Sequence, residues 1–166
     1  MFGLPYNHSV SLIKKVFMAK PALKPISASL EDYLEAIYSI IEEKNCVKAV
    51  EISRMLGVGR SSVTEALKNL AEKNLVNYAR YDAISLTPQG EEAARGVIFR
   101  HNTLYEFFTN ILDLRPDEAH ENACRAEHVL SEDAMDRLVS FVEFHREFED
   151  VNGCVQKFKQ YCSMKK

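Results

Sequence analysis

Three side chains able to hold a metal ion fall within the five residues Cys124-Arg125-Ala126-Glu127-His128. A thiol, a carboxylate and an imidazole at i, i+3 and i+4 share one face of a helix, within reach of a single cation. His120 lies one turn earlier on the same face. Together these offer soft, hard and borderline donors, a mixture suited to a first-row divalent ion rather than to magnesium or calcium. The blander account is a small core cysteine beside two solvated charges, and the spacing alone does not choose between the two. Further ligands would decide it. Asp32 and Glu35 stand at i, i+3 in an earlier helical segment, and His101 sits in a largely apolar stretch. Singly, Asp32 is an ordinary helix-capping carboxylate, Glu35 a surface charge and His101 an interior histidine. Taken together, three helices would converge on one cation.

The elements that must position these residues follow from periodicity. Ser29 with Asp32 reads as a capping-box-like helix start, after which Tyr33, Leu34, Ile37, Tyr38 and Ile41 repeat with helical period to about Lys44. A short helix over Ala49 to Leu56, a Gly57-Val58-Gly59 turn and a helix from Arg60 to Lys73 form a helix-turn-helix. Two strand-like runs, Leu75 to Arg80 and Ala83 to Leu86, make a hairpin, so the first half reads as a winged helix. Thr87 as N-cap and Pro88 at the first helical position open a long helix reaching about Leu112. After Arg115-Pro116-Asp117 come a helix over Glu118 to Val129 and another, capped by Ser131, carrying Met135, Leu138, Val139 and Val142. The expected fold is mainly α. An N-terminal winged helix-turn-helix, three helices plus a two-stranded wing, is followed by a helical dimerisation and metal-binding domain. The expected divisions are a leader at 1–25, the winged helix at 26–94, the helical domain at 95–147 and a basic tail at 148–166, whose structure the pattern leaves open. Apolar faces at 103–112 and 133–142 are the expected dimer seam.

The chain of 166 residues is 46% hydrophobic and 27% charged, ordinary globular composition for one good core or two small ones. A net charge of -3 excludes a generally basic nucleic-acid coat, so DNA must be met by a local surface. Gly59, Arg60, Ser61, Ser62 and Thr64 open the third helix with small or hydrogen-bonding residues, Lys68 lies further along, and Arg80 is placed in the wing. These are the types that reach base edges and phosphates. A winged helix used for protein contacts is the rival reading. Four cysteines, Cys46, Cys124, Cys154 and Cys162, fit no disulfide framework, and no apolar run spans a bilayer. A reducing cytoplasm is expected, with no membrane partner.

Several stretches resemble the diphtheria toxin repressor family, close to its manganese-responsive branch. They are Glu31-Asp32-Tyr33-Leu34-Glu35-Ala36-Ile37-Tyr38, Ser62-Val63-Thr64, Leu86-Thr87-Pro88-Gln89-Gly90, Arg100-His101 and Ala123 to Ser131. The resemblance covers about Ser29 to Val142. It implies a cytoplasmic homodimer that binds palindromic double-stranded operator DNA when loaded with Fe2+ or Mn2+, repressing metal-uptake genes. It implies neither an enzyme nor a small organic substrate. Asp32, Glu35, His101, Glu127 and His128 resemble ligands of the manganese branch, whereas Cys124 resembles the thiolate of the iron branch and His120 one of that branch's ancillary histidines. The implied site is a hybrid, with Tyr105 where both branches carry a glutamate. The alternative function is a winged-helix regulator that senses an organic ligand or cysteine oxidation. A hydrolase using Glu127 as base is disfavoured because no HExxH-type spacing is present.

Overall fold

Ser27 starts the first helix of the described residues. In the computed structural model, which describes residues 26–44, 46–79, 83–148 and 153–165, its hydroxyl accepts from Leu30 N at 3.4 Å. Its carbonyl takes the amides of Leu30 and Glu31 at 2.9 and 3.1 Å. Helix α1 (Ala28–Lys44) therefore begins before Ser29, the expected cap, and Asp32 is released from the first turn to act elsewhere. Its inner face buries Tyr33, Leu34, Ala36, Ile37 and Ile40.

Helix α2 (Ala49–Leu56) stops at Gly57, whose φ of 66° is left-handed and strains any residue with a Cβ. Helix α3 (Arg60–Glu72) turns Val63, Ala66, Leu67 and Leu70 inward. Among the described residues the strands of the wing are shorter than the sequence pattern: β1 (Val76–Asn77) pairs antiparallel with β2 (Ser85–Leu86), Val76 opposite Leu86. A bridge between Val47 and Ile84 ties the segment before α2 to the same sheet. These elements close one core around Leu34, Ile37, Ile52, Leu67, Leu70 and Leu75, each 0–1% exposed. At roughly 1.5–3 kcal/mol for each large apolar side chain removed from water, this cluster is the main reason α1 and α3 hold a fixed relation.

Helix α4 (Pro88–Glu106) starts as expected, with Thr87 Oγ1 accepting from Gly90 N at 3.0 Å. Its first turn lies against the end of the α3–β1 connection. A Cβ on Gly90 would stand 1.8 Å from the Leu75 carbonyl oxygen, so glycine is the residue that permits this approach. Eleven residues are close to three turns, which puts His101 on the face that Gly90 anchors. The helix ends in a π-helical turn, Phe107–Ile111.

Helix α5 (Pro116–Ala126) departs from the expected 118–129 at both ends. Pro116 suits the first helical position because its missing N–H has no intrahelical acceptor to lose. At the far end Val129 N and Leu130 N both bond Ala126 O at 3.1 Å, tightening the chain into a turn that carries Glu127 and His128. Helix α6 (Glu132–Phe148) follows, with Ala134 N bonding Ser131 Oγ at 3.3 Å. The tail forms helix α7 (Cys154–Met164), tied back by Lys159 Nζ to Asp113 Oδ1 at 3.0 Å. A second core joins Phe99, Leu104, Ala123, Met135 and Val139. Part of the expected dimer seam is thus consumed within the protomer, since Leu104, Met135 and Val139 pack internally. The large apolar residues left exposed on α6 are Phe141, Phe144 and Phe148, at 45, 57 and 47%.

Candidate metal centre and nucleic-acid interface

Three helices meet where the two cores adjoin. Helix α1 supplies Glu31, Asp32 and Glu35, α4 supplies Arg100 and His101, and α5 with its terminal turn supplies His120, Cys124, Glu127 and His128. Six of the seven residues singled out from the sequence fall into two groups rather than one ring, and Glu35 is in neither, though the charge of Glu127 is felt at it. His101, His120 and Cys124 offer two nitrogens and a sulfur, all within 4.8 Å of one another, and Asp32, Glu127 and His128 offer two oxygens and a nitrogen within the same limit. The division follows from the end of α5. Cys124 is still on the helix and faces α4, whereas Glu127 and His128 follow its last residue: His128 faces α1, and Glu127 stands between the two, one oxygen against His101 on α4 and the other in the group with Asp32.

His101 and Glu127 join the groups. His101 Nδ1 is 2.8 Å from Glu127 Oε2 and 3.8 Å from Cys124 Sγ, while its Nε2 is 3.1 Å from His120 Nδ1. Burial alone would push the His101 imidazole down; the hydrogen bonds and charges of Cys124 and Glu127 outweigh it and hold its pKa up to about 10. His128 spans the α1 carboxylates, with Nδ1 donating to Glu31 Oε2 at 2.6 Å and Nε2 to Asp32 Oδ1 at 3.1 Å. Its pKa is raised too, burial again opposing and the Glu31 hydrogen bond leading the causes in favour. Glu35 and Asp32 are raised chiefly by burial; the charge of Glu127 adds for both, against the lowering pull of His128. In each case the protonated form is favoured by surroundings whose negative charge a bound cation would balance instead.

Glu127 tests whether the residues suit a metal. It is 2% exposed, and its Oε1 makes no hydrogen bond among the described residues, although His128 Nε2 lies 3.3 Å away in poor alignment. A buried carboxylate oxygen without a donor is costly, and a divalent cation between it, Asp32 and His128 would satisfy it. The oxygen-rich group suits a hard ion and the thiolate group a softer one. Glu31 is the site residue that spacing missed. Its position four residues before Glu35, on the same helix face, was the available signal.

At the other end of the winged helix, Gly59, Arg60, Ser61, Ser62 and Lys68 are exposed along α3. Thr64 is half-buried and its hydroxyl donates to Arg60 O at 3.0 Å, leaving oxygen lone pairs for an outside donor. Arg80, the expected wing contact, lies outside the described residues.

Comparison with known proteins agrees with this division of labour. Residues 25–84 match the iron-dependent repressor N-terminal DNA-binding domain, and residues 87–152 match the iron-dependent repressor metal-binding and dimerisation domain. An uncharacterized HTH-type transcriptional regulator of Methanocaldococcus jannaschii is 40% identical over 119 residues, 71% of this chain and 95% of that protein. The HTH-type transcriptional regulator MntR of Bacillus pumilus is 33% identical over 122 residues, 74% of this chain and 84% of that protein. Among solved structures, a manganese-dependent transcriptional repressor in complex with manganese superposes with a TM-score of 0.64 at 33% identity, covering 69% of this chain and 53% of that one. The manganese regulator SloR does so at 0.63 and 28%, covering 73% and 55%. The chain spans about half the length of these two solved proteins. Among the described residues no helix is long and apolar enough to cross a membrane. The chain belongs to the iron-dependent repressor family, whose members are metal-responsive, DNA-binding transcriptional regulators rather than enzymes.

Proposed function

We propose that this protein is a metal-dependent transcriptional repressor of metal-uptake genes, acting as a homodimer on palindromic operator DNA. The orphaned Oε1 of buried Glu127, aimed between the DNA-binding and dimerisation halves, is the observation that carries this reading. Asp32, Glu127 and His128 would hold Fe2+ or Mn2+, with Glu35 close enough for its charge to be felt at Glu127. His101, Cys124 and His120 form the adjoining softer group. The cation supplies positive charge that offsets the mutual repulsion of Asp32, Glu35 and Glu127.

Two of those carboxylates belong to α1, which shares a core with the recognition helix α3. Neutralising them favours one placement of the winged helix against the rest of the protomer, and linkage requires operator DNA to tighten cation binding by the same factor. Phe141, Phe144 and Phe148 give the dimer an apolar seam, and the exposed Gly59, Arg60, Ser61, Ser62 and Lys68 face the major groove. Affinity alone does not name the physiological ion, because zinc and copper bind such donors more tightly than iron or manganese.

The test is operator binding by fluorescence anisotropy, under anaerobic conditions and at fixed salt, with Mn2+, with Fe2+ and with excess chelator. Binding that requires either ion and is abolished by chelator is expected. Affinity unchanged by chelator would overturn the reading.

A further inference from the structure

Glu31 is absent from the ligand set above, yet it makes the shortest contact to it. Its Oε2 accepts from His128 Nδ1 at 2.6 Å, while its Oε1 accepts from Arg100 Nη2 at 2.8 Å. The three side chains are largely buried, at 19% exposure for Glu31 and Arg100 and 11% for His128. One carboxylate therefore connects α1, the long helix α4 and the turn after α5.

We infer that Glu31 is a positioning residue: by accepting from Nδ1 of His128 it fixes the imidazole so that Nε2 faces Asp32 and Glu127, while Arg100 keeps the carboxylate from rotating away. Nε2 stands 3.1 Å from Asp32 Oδ1 and 3.3 Å from Glu127 Oε1, so it is the nitrogen aimed into the oxygen-rich group. An imidazole that commits one N–H to a carboxylate presents the other nitrogen as a stronger and better-oriented donor. Arg100 serves the same end. One of its terminal nitrogens is spent on Glu31, and its Nε is buried without a hydrogen-bond partner among the described residues, so Glu31 is its anchor here. The inference rests on the proposed cation site and adds a residue that does not itself hold the ion.

The experiment measures Mn2+ affinity by titration calorimetry and the His128 imidazole N–H signal by NMR of the diamagnetic Zn2+-loaded protein. The full-length wild type is compared with Glu31→Ala, Glu31→Gln and Glu31→Asp. Glu31→Ala should weaken Mn2+ binding by about 10- to 100-fold and abolish the exchange-protected Nδ1–H signal. Glu31→Gln keeps an oxygen that can accept from Nδ1 and should retain the signal and most of the affinity. If Glu31→Ala fails to fold, Glu31→Asp, one methylene too short, should show the same losses. Equal loss of affinity in Glu31→Gln and Glu31→Ala would make the carboxylate itself a ligand and overturn the positioning role. So would wild-type affinity and an unchanged signal in Glu31→Ala and Glu31→Asp. A wild type that binds no divalent cation would overturn the metal-centre reading together with this one, whereas the preceding two outcomes leave that reading standing.

Discussion

His101 Nδ1 lies 2.8 Å from Glu127 Oε2, and among the described residues this buried pair is the side-chain bond that joins the soft and hard donor groups. Both residues are under 10% exposed, so neither can be altered without consequence for its partner.

Replacing Glu127 with Gln retains an acceptor for His101 but removes the charge needed beside Asp32. Mn2+ affinity should fall by at least about 100-fold, since even supporting residues around such sites commonly cost 10- to 100-fold. The melting temperature of the cation-free protein should change less than in Glu127→Ala. Titration calorimetry with parallel thermal melts checks both; wild-type affinity in Glu127→Gln would exclude this carboxylate as a ligand.

Stability without metal should decline as pH rises. His101 titrates at about 10 in the fold against 6.5 in the unfolded chain, so its contribution is complete below pH 6.5 and is lost as pH climbs through about 10. Asp32 and Glu35 are raised as well, so ionising them in the fold carries a penalty that is absent at acid pH and present above their folded values. All three act in one direction. Calorimetric melts in chelator should move down between pH 6.5 and 10, and those with saturating Mn2+ should move less, because the bound ion requires deprotonated ligands. A rise in the cation-free melts over that range would contradict the assigned shifts.

Arg60 sits exposed at the start of α3, where helix N–H groups and a guanidinium together suit a phosphate. Arg60→Ala should weaken operator and non-specific DNA alike and lower the slope of log affinity against log salt by about 0.9, the value for one lost phosphate contact. A loss confined to the operator, with the salt slope unchanged, would instead make Arg60 a base reader.

Gly90→Ala should destabilise the protein by roughly 1–3 kcal/mol or more, because its Cβ would meet the Leu75 carbonyl oxygen at 1.8 Å and force α4 off the wing. Since α4 carries His101 and Arg100, urea unfolding and Mn2+ affinity should both suffer. A variant of unchanged stability would show that the helix can shift without cost.

Phe144 is 57% exposed and forms a tilted pair with Phe148, ring centroids 4.9 Å apart. Phe144→Glu should shift the protein to monomer in sedimentation velocity and weaken operator binding. An intact dimer would place the seam elsewhere.

The winged helix and the helical second half were legible in sequence because apolar residues repeat at 3.6 along α1, α3 and α6, and because Thr87-Pro88 and Ser131 announce helix starts by their own hydrogen-bonding chemistry. The cap of α1 stands two residues before the expected Ser29, because Ser27 and Ser29 are equivalent on local grounds and the choice belongs to the packing of the helix. Helix α7 carries little signal in the sequence because none of its residues is buried, so no apolar stripe marks it.

The sequence by itself determined which donors exist and that Cys124, Glu127 and His128 lie close along the chain. Tertiary structure decided their partners. Helix α5 ends at Ala126, so His128 turns to α1 and Glu127 stands between α1 and α4, while Cys124 stays against His101 on α4. It also brought in Glu31, whose place opposite His128 depends on a contact between residues 97 apart in sequence. Spacing is a property of one helix, whereas a shared site depends on where three helices are held, and only the packed cores fix that.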